Sequence, residues 1–183
     1  MDITTDHARD VYSKAMCLYK KDEVERAITR MAEEISDCLV DTNPLVISVM
    51  NGGLILTGYL LTMLDFPLQS DYLHATRYRG KTTGSDLDWI VRPQHSLRDR
   101  TVLVVDDILD EGITLDSIME YCRSEGVSRV YSCVLVEKAH DRKPGYNKAD
   151  FTGLTVEDKY VFGFGMDYKG YLRNAPGIYA VNE

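Results

Sequence analysis

The stretch Val102-Leu103-Val104-Val105-Asp106-Asp107-Ile108-Leu109-Asp110-Glu111-Gly112-Ile113-Thr114-Leu115 constrains this chain more than any other. Its apolar, mostly β-branched start reads as a buried strand that ends in two adjacent carboxylates. A short turn with Gly112 and Thr114 follows, and Ile113 to Cys122 reads as a helix. A turn at a helix N-terminus presents unpaired N–H groups and the positive end of the helix dipole. Gly112 lets the backbone curl tightly and the Thr114 hydroxyl adds a donor, so the turn can hold a phosphate monoester. Carboxylates touching that phosphate would repel it. One step away, they can accept hydrogen bonds from sugar hydroxyls or hold Mg2+. Paired acids and Asp-Glu-Gly are also ordinary turn and capping chemistry, so the segment needs its context. It is neither a Walker loop, lacking Gly-Lys-Ser/Thr, nor a dinucleotide-binding GxGxxG.

The same strand, turn, helix unit occurs earlier in the chain. Leu45 to Val49 is a short apolar run, Asn51-Gly52-Gly53 a turn, and Leu54 to Leu64 an apolar helix-like stretch. A further strand is expected at Val130 to Val136. Leu68 to Tyr78 and Leu87 to Val91 read as two strands joined by Arg79 to Asp86, whose glycines and threonines suggest a mobile loop. Trp89 reads as a packing residue. Near the N-terminus, Asp22 is placed to cap a helix with Val24, Ile28, Met31, Ile35 and Leu39 on one stripe. Alternation of strand, glycine turn and helix implies an α/β chain with a twisted, mostly parallel sheet flanked by helices. Functional loops in such sheets lie at the carboxyl ends of the strands, where both glycine turns and the stretch after Val136 fall.

The chain has 183 residues, enough for one domain with a real core, and residues 1–183 are read as a single domain. A formal net charge of -8 argues against broad nucleic-acid or anionic-membrane binding. An anionic small molecule needs only a local cradle. Cys17, Cys38, Cys122 and Cys133 are too far apart for a zinc knuckle or CxxC site and read as reduced, mostly packed thiols. The start of the chain carries Asp2, Asp6 and Asp10 without an apolar stretch, so no signal peptide is expected. Leu54 to Leu64 is too short to span a bilayer.

The string from Val102 to Leu115 resembles the phosphoribosyl pyrophosphate (PRPP) signature of the type I phosphoribosyltransferases. Three more segments are similar to the hypoxanthine-guanine branch of that family, and they occur in the family's order. They are Met50-Asn51-Gly52-Gly53, Glu137-Lys138, and Asp158 to Tyr168 running on to Tyr171-Leu172-Arg173. The resemblance covers nearly all of the chain from Pro44 onward. It departs from the family at Asn51, where some relatives carry lysine, and at Glu111 and Ile113 in the phosphate turn.

The resemblance implies a type I phosphoribosyltransferase fold with a small hood built from the N- and C-terminal segments. It implies purine salvage, with PRPP and a 6-oxopurine base as substrates and Mg2+ as cofactor. PRPP would be bound by Asp106, Asp107, Asp110, Glu111, Gly112, Ile113, Thr114 and Leu115, and pyrophosphate by Asn51, Gly52, Gly53 and Arg173. The purine would meet Lys138, Tyr160, Val161 and Asp167. Arg77 and Tyr78 would belong to a closing lid, and Asp106, Asp107 and Asp167 to the metal. Asp110 would be the catalytic carboxylate at purine N7. A cytoplasmic homo-oligomer, dimer or tetramer, is expected on the same ground. A xanthine or adenine phosphoribosyltransferase, a non-catalytic PRPP-sensing regulator and a general nucleotide-binding module are the competing readings. The donor-only ammonium of Lys138 disfavours adenine. The acidic charge and the lack of length for a helix-turn-helix disfavour a regulator.

Overall fold

A computed structural model describes residues 3–77, 87–140, 142 and 144–182. Its centre is a six-stranded sheet in the order β4-β3-β2-β5-β6-β7. These strands are β2 (Leu45–Met50), β3 (Gln69–Arg77), β4 (Leu87–Val91), β5 (Thr101–Leu109), β6 (Arg129–Ala139) and β7 (Phe151–Glu157). All neighbours pair in parallel except β3 and β4, which are antiparallel. β2 and β5 are buried on both faces, as parallel strands between helical layers must be.

Alternate residues of β5 feed the two halves of the core. Leu103 and Val105 meet helices α2 (Lys21–Leu39) and α3 (Leu54–Leu61) on one face. Val102 and Val104 pack with Ile118, Met119 and Cys122 of α4 (Ile113–Ser124) on the other. The expected stripe of α2 is fully buried: Val24, Ile28, Met31, Ile35 and Leu39 are 0% exposed. Its cap differs from expectation. Lys20, not Asp22, is the N-cap residue, and its N–H donates to the Glu23 carboxylate at 2.9 Å. A residue three positions into the helix can satisfy the cap from inside, which leaves Asp22 as a first-turn acid.

A small antiparallel sheet, β1-β9-β8, joins the two ends of the chain. It consists of β1 (Met16–Tyr19), β8 (Val161–Phe162) and β9 (Ile178–Ala180). Helix α1 (Thr5–Lys14) supplies Val11 and Tyr12 to a cluster around Phe162 and Tyr168. This is the expected hood. Trp89 packs on Tyr121 with ring centroids 4.5 Å apart, as a packing residue should. Cys122 and Cys133 are buried, whereas Cys17 and Cys38 are exposed, so only half of the thiols are packed. No helix among the described residues is long and apolar enough to cross a membrane.

Two differences from expectation shape the site. β5 does not end at the paired acids, because its ladder with β6 continues through Asp106↔Val134, Ile108↔Val136 and Leu109↔Glu137. The paired acids therefore lie within the strand and not at its end. β6 likewise runs past Val136, so Lys138 lies inside a strand and pairs with Val156 of β7, which was not anticipated. The chain winds from β2 through α3 to β3 on one side, and from β5 through α4 to β6 on the other. The strand order thus reverses between β2 and β5, and a crevice opens at their carboxyl ends.

Candidate active site

The crevice is a cleft of about 370 Å3. Asn51, Gly52, Asp106, Asp107, Asp110, Thr114, Lys138, Tyr160, Val161, Asp167 and Arg173 all line it, although they are up to 122 positions apart in the chain (51 to 173). Glu111, Gly112 and Leu115 line an adjoining hollow of about 220 Å3 together with Asp106, Asp107, Asp110 and Thr114. Gly53 and Ile113 line neither space. Gly53 is buried against β5 and serves as the N-cap of α3, and Ile113 is the first residue of α4. Arg77 closes β3, but its side chain and all of Tyr78 to Asp86, where the lid was expected, lie outside the described residues. Val49, Met50, Ala75, Ile108 and Met166 also line the cleft, though none was assigned a role from sequence.

The phosphate turn is built as its residues demand. Gly112 is the N-cap of α4 with φ +75, in the left-handed region that glycine enters without cost. A Cβ there would lie 2.1 Å from the Tyr146 carbonyl oxygen. The segment at Gly145 and Tyr146 is laced to the turn: Gly145 N–H donates to the Glu111 carbonyl at 3.3 Å, and Tyr146 N–H to the Gly112 carbonyl at 3.1 Å. Those two bonds occupy the Glu111 and Gly112 carbonyls, whose oxygens would repel an anion if they faced one. The opposing turn starts with a cis Met50–Asn51 peptide. Gly52 there packs so closely that an added Cβ would lie 2.1 Å from the Asp107 carboxylate.

Two charged groups of residues organise the cleft. In the first, Arg173 Nη2 meets Asp167 Oδ1 at 2.6 Å, while its Nη1 donates to the Gly165 carbonyl at 2.6 Å and lies 3.8 Å from Asp107. Burial of Asp106, with the charge of Asp107 beside it, pushes its carboxyl well above the usual carboxylate range. Burial also raises Asp107, against the pull of Arg173. In the second group, Lys138 Nζ donates to Asp110 Oδ2 at 2.8 Å and lies 3.6 Å from Asp158. His140 Nε2 is 2.8 Å from Asp110 Oδ1, and Arg142 pairs with Asp158. Burial works against ionisation of Asp110, but Lys138 and His140 outweigh it and hold the carboxyl below its ordinary range. Asp110, His140 and Asp158 offer ligand atoms within 4.8 Å of one another. The Lys138 ammonium already bridges the two carboxylates, so the trio forms an ion-pair network and not a metal site. His140 and Arg142 carried no recognisable signal in sequence, since they follow Lys138 in an irregular stretch.

The raised Asp106 makes a prediction about stability. A carboxyl whose folded pKa exceeds its unfolded value destabilises the fold once it is ionised. Asp106→Asn removes that charge and keeps an acceptor for the Asp107 N–H, now bonded at 2.9 Å. The melting temperature of the free protein is expected to rise at neutral pH, by about 2–4 °C per kcal/mol relieved in a domain of this size. The gain should shrink as pH falls to about 4, where the unfolded carboxyl also takes up its proton. Melting curves of both proteins across that range check it.

Comparison with known proteins places this geometry in context. A model of the phosphoribosyl transferase domain matches residues 17–169. The chain is 30% identical over 166 residues to the hypoxanthine-guanine-xanthine phosphoribosyltransferase of Tritrichomonas foetus, covering 91% of each chain. It is 31% identical over 162 residues to the hypoxanthine-guanine phosphoribosyltransferase of Bacillus subtilis (strain 168), covering 88% of this chain and 89% of that one. A solved hypoxanthine-guanine-xanthine phosphoribosyltransferase superposes with a TM-score of 0.84 at 28% identity, over 92% of this chain and 97% of the other. A hypoxanthine phosphoribosyltransferase from Staphylococcus aureus, 22% identical, shares the fold with a TM-score of 0.87, over 99% of this chain and 97% of its own.

Proposed function

Since the chain belongs to the phosphoribosyltransferase family, we propose that it is a purine salvage enzyme. It transfers the 5-phosphoribosyl group of PRPP to hypoxanthine or guanine, giving IMP or GMP and pyrophosphate. One observation carries the reading: a phosphate turn, paired carboxylates and a buried lysine share a single cleft at the strand-order reversal. The turn from Asp110 to Leu115 would hold the 5-phosphate. Asp106 and Asp107 would accept hydrogen bonds from the ribose hydroxyls, and the turn at Asn51 to Gly53, with Arg173, would receive the pyrophosphate. In the reaction, purine N9 bonds to the anomeric carbon as its bond to the pyrophosphate oxygen breaks. Asp110, held ionised, would accept the proton at N7. Lys138 would donate to the 6-oxo group, and Tyr160, 51% exposed at the cleft edge, would stack on the ring.

Asp106, Asp107 and Asp167 together present three carboxylates against the one guanidinium of Arg173. Hard oxygen donors in excess of positive charge suit a hard divalent cation, and Mg2+ is the one we assign. When bound with PRPP it would neutralise the leaving pyrophosphate. The enzyme is further read as cytoplasmic, in keeping with its four unpaired cysteines. It is also read as a homo-oligomer, in keeping with exposed Leu54 and Tyr72 beside one apolar hollow.

The test is pyrophosphate release from PRPP with hypoxanthine, guanine, xanthine and adenine, each with Mg2+ and with excess chelator. Turnover with hypoxanthine and guanine, abolished by chelator, is expected. Pyrophosphate release with none of the four bases would exclude an enzyme of this class, and full turnover in chelator would remove the cation from the reading. Thr114→Val is expected to raise the PRPP Michaelis constant about 10-fold or more and the purine constant little. A hydrogen bond to a charged group contributes about 1.5–3 kcal/mol. Initial rates at varied PRPP measure it, and an unchanged PRPP constant would assign the phosphate to backbone N–H groups alone.

A further inference from the structure

Both oxygens of Asp110 are taken, and the transfer chemistry accounts for only one of the two partners. Lys138 is there for the base; His140 is not. The imidazole follows the last residue of β6, and its side chain is 7% exposed. Its Nδ1 accepts the Arg142 N–H at 3.1 Å. In the neutral ring the proton is therefore on Nε2, aimed at Asp110 Oδ1 2.8 Å away. A histidine that merely fills space has no need of such an aim. Here a buried ring, fixed by a main-chain bond on one side, spends its single donor on a carboxylate 42% exposed at the cleft.

The second partner of Asp110 matters because the first one is shared. Lys138 bonds Asp110 at 2.8 Å in the free protein. An ammonium that also serves the 6-oxo group of a base divides its three donors among that oxygen, Asp110 and Asp158. Without another tether, the half-exposed carboxylate is then free to rotate away from N7 or toward solvent. Among the described residues, the other charged groups beside it are acids or already paired: Glu111, next in the turn, is of like charge, and Asp158, beyond Lys138, pairs with Lys138 and Arg142.

We propose that His140 is a positioning residue for proton transfer, its Nε2–H pinning one oxygen of Asp110 while the carboxylate serves purine N7. The inference rests on the reading of Asp110 as the group that carries the N7 proton. It concerns this chain's own Asp110–His140–Arg142 arrangement and adds no step to the transfer reaction.

Two variants of equal polarity separate positioning from packing. His140→Gln can place an amide N–H near the position of Nε2, whereas His140→Asn keeps an acceptor near Nδ1 but is too short to reach Asp110. His140→Asn is expected to lower kcat about 10-fold, the loss of one hydrogen bond to a charged group, with the PRPP Michaelis constant unchanged. His140→Gln should recover most of the turnover. Equal kcat in both variants, whether full or reduced, would overturn the proposal, as would a PRPP constant that rises with the loss of turnover. The same His140→Asn change made in Asp110→Asn should cost nothing further, because a positioning residue acts only through its partner. A further loss there also overturns it. Asp110→Asn alone tests the underlying reading separately: if that variant keeps its turnover, the role of Asp110 fails whatever His140 does.

Discussion

Asp110→Asn is expected to bind PRPP normally and to lose about 10^2 to 10^4 in turnover, the usual contribution of a general acid or base. The side chain stands where β5 gives way to the phosphate turn and borders both the cleft and the phosphate hollow. Lys138 and His140 keep it ionised, so at neutral pH it can only accept a proton. Asparagine retains one acceptor oxygen but offers nothing basic, and its amide N–H faces donors that need an acceptor. Because the folded pKa of Asp110 is depressed, its contribution to stability is present above the unfolded value of about 4 and lost as pH falls through the folded one. The variant should therefore also melt slightly lower at neutral pH, with the difference vanishing in acid. Steady-state kinetics at saturating PRPP, with a binding measurement beside it, separates the two effects. A fall in turnover of less than about threefold would make Asp110 a capping residue of the turn and not a proton carrier.

How far such a site can be read from sequence depends on how local its parts are. The phosphate turn was legible because strand, acids, glycine and threonine lie within 14 consecutive residues, Val102 to Leu115, and each residue type has a reason for its place. The stripe of α2 was legible for the same reason, one period repeated along one helix. What failed was whatever another part of the chain decides. The ladder with β6 keeps Asp106 and Asp107 on a strand, and that ladder depends on pairing across more than twenty positions. β7 went unseen: Phe151 to Glu157 includes Gly153, whose lack of a side chain lets the Leu135 carbonyl and Met31 approach. The brace of Gly145 and Tyr146 under the turn, and the meeting of His140 with Asp110, arise from tertiary approach alone. Lys138 was assigned to the purine through the family resemblance of Glu137-Lys138; its burial between two carboxylates is a property of the fold.

That burial raises what is expected of Lys138→Gln. The residue is 9% exposed, and its ammonium bonds Asp110 while also facing Asp158. An ammonium offers three donors and no acceptor, so toward a purine it favours a 6-oxo group and rejects a 6-amino group. Glutamine offers both a donor and an acceptor and can turn either way. Use of guanine and hypoxanthine is expected to fall about 100-fold or more, while any trace of adenine use holds or rises, since sites built to hydrogen-bond one group discriminate by roughly 10^4. A second effect bears on Asp110. Without the ammonium, Asp110 and Asp158 face each other within 4.8 Å and only His140 still supports Asp110. Its carboxyl should rise toward the ordinary range, which weakens its readiness at N7 in acid but not at neutral pH. The losses should appear in kcat/KM for the base and little in the PRPP constant, because Lys138 bonds the phosphate turn through the Asp110 carboxylate and not through the N–H groups that would hold the phosphate. Specificity constants for four bases, in parent and variant, decide the matter. If the guanine-to-adenine ratio stays within about twofold of the parent, Lys138 does not read the base. Selection would then fall to main-chain groups beside Val161.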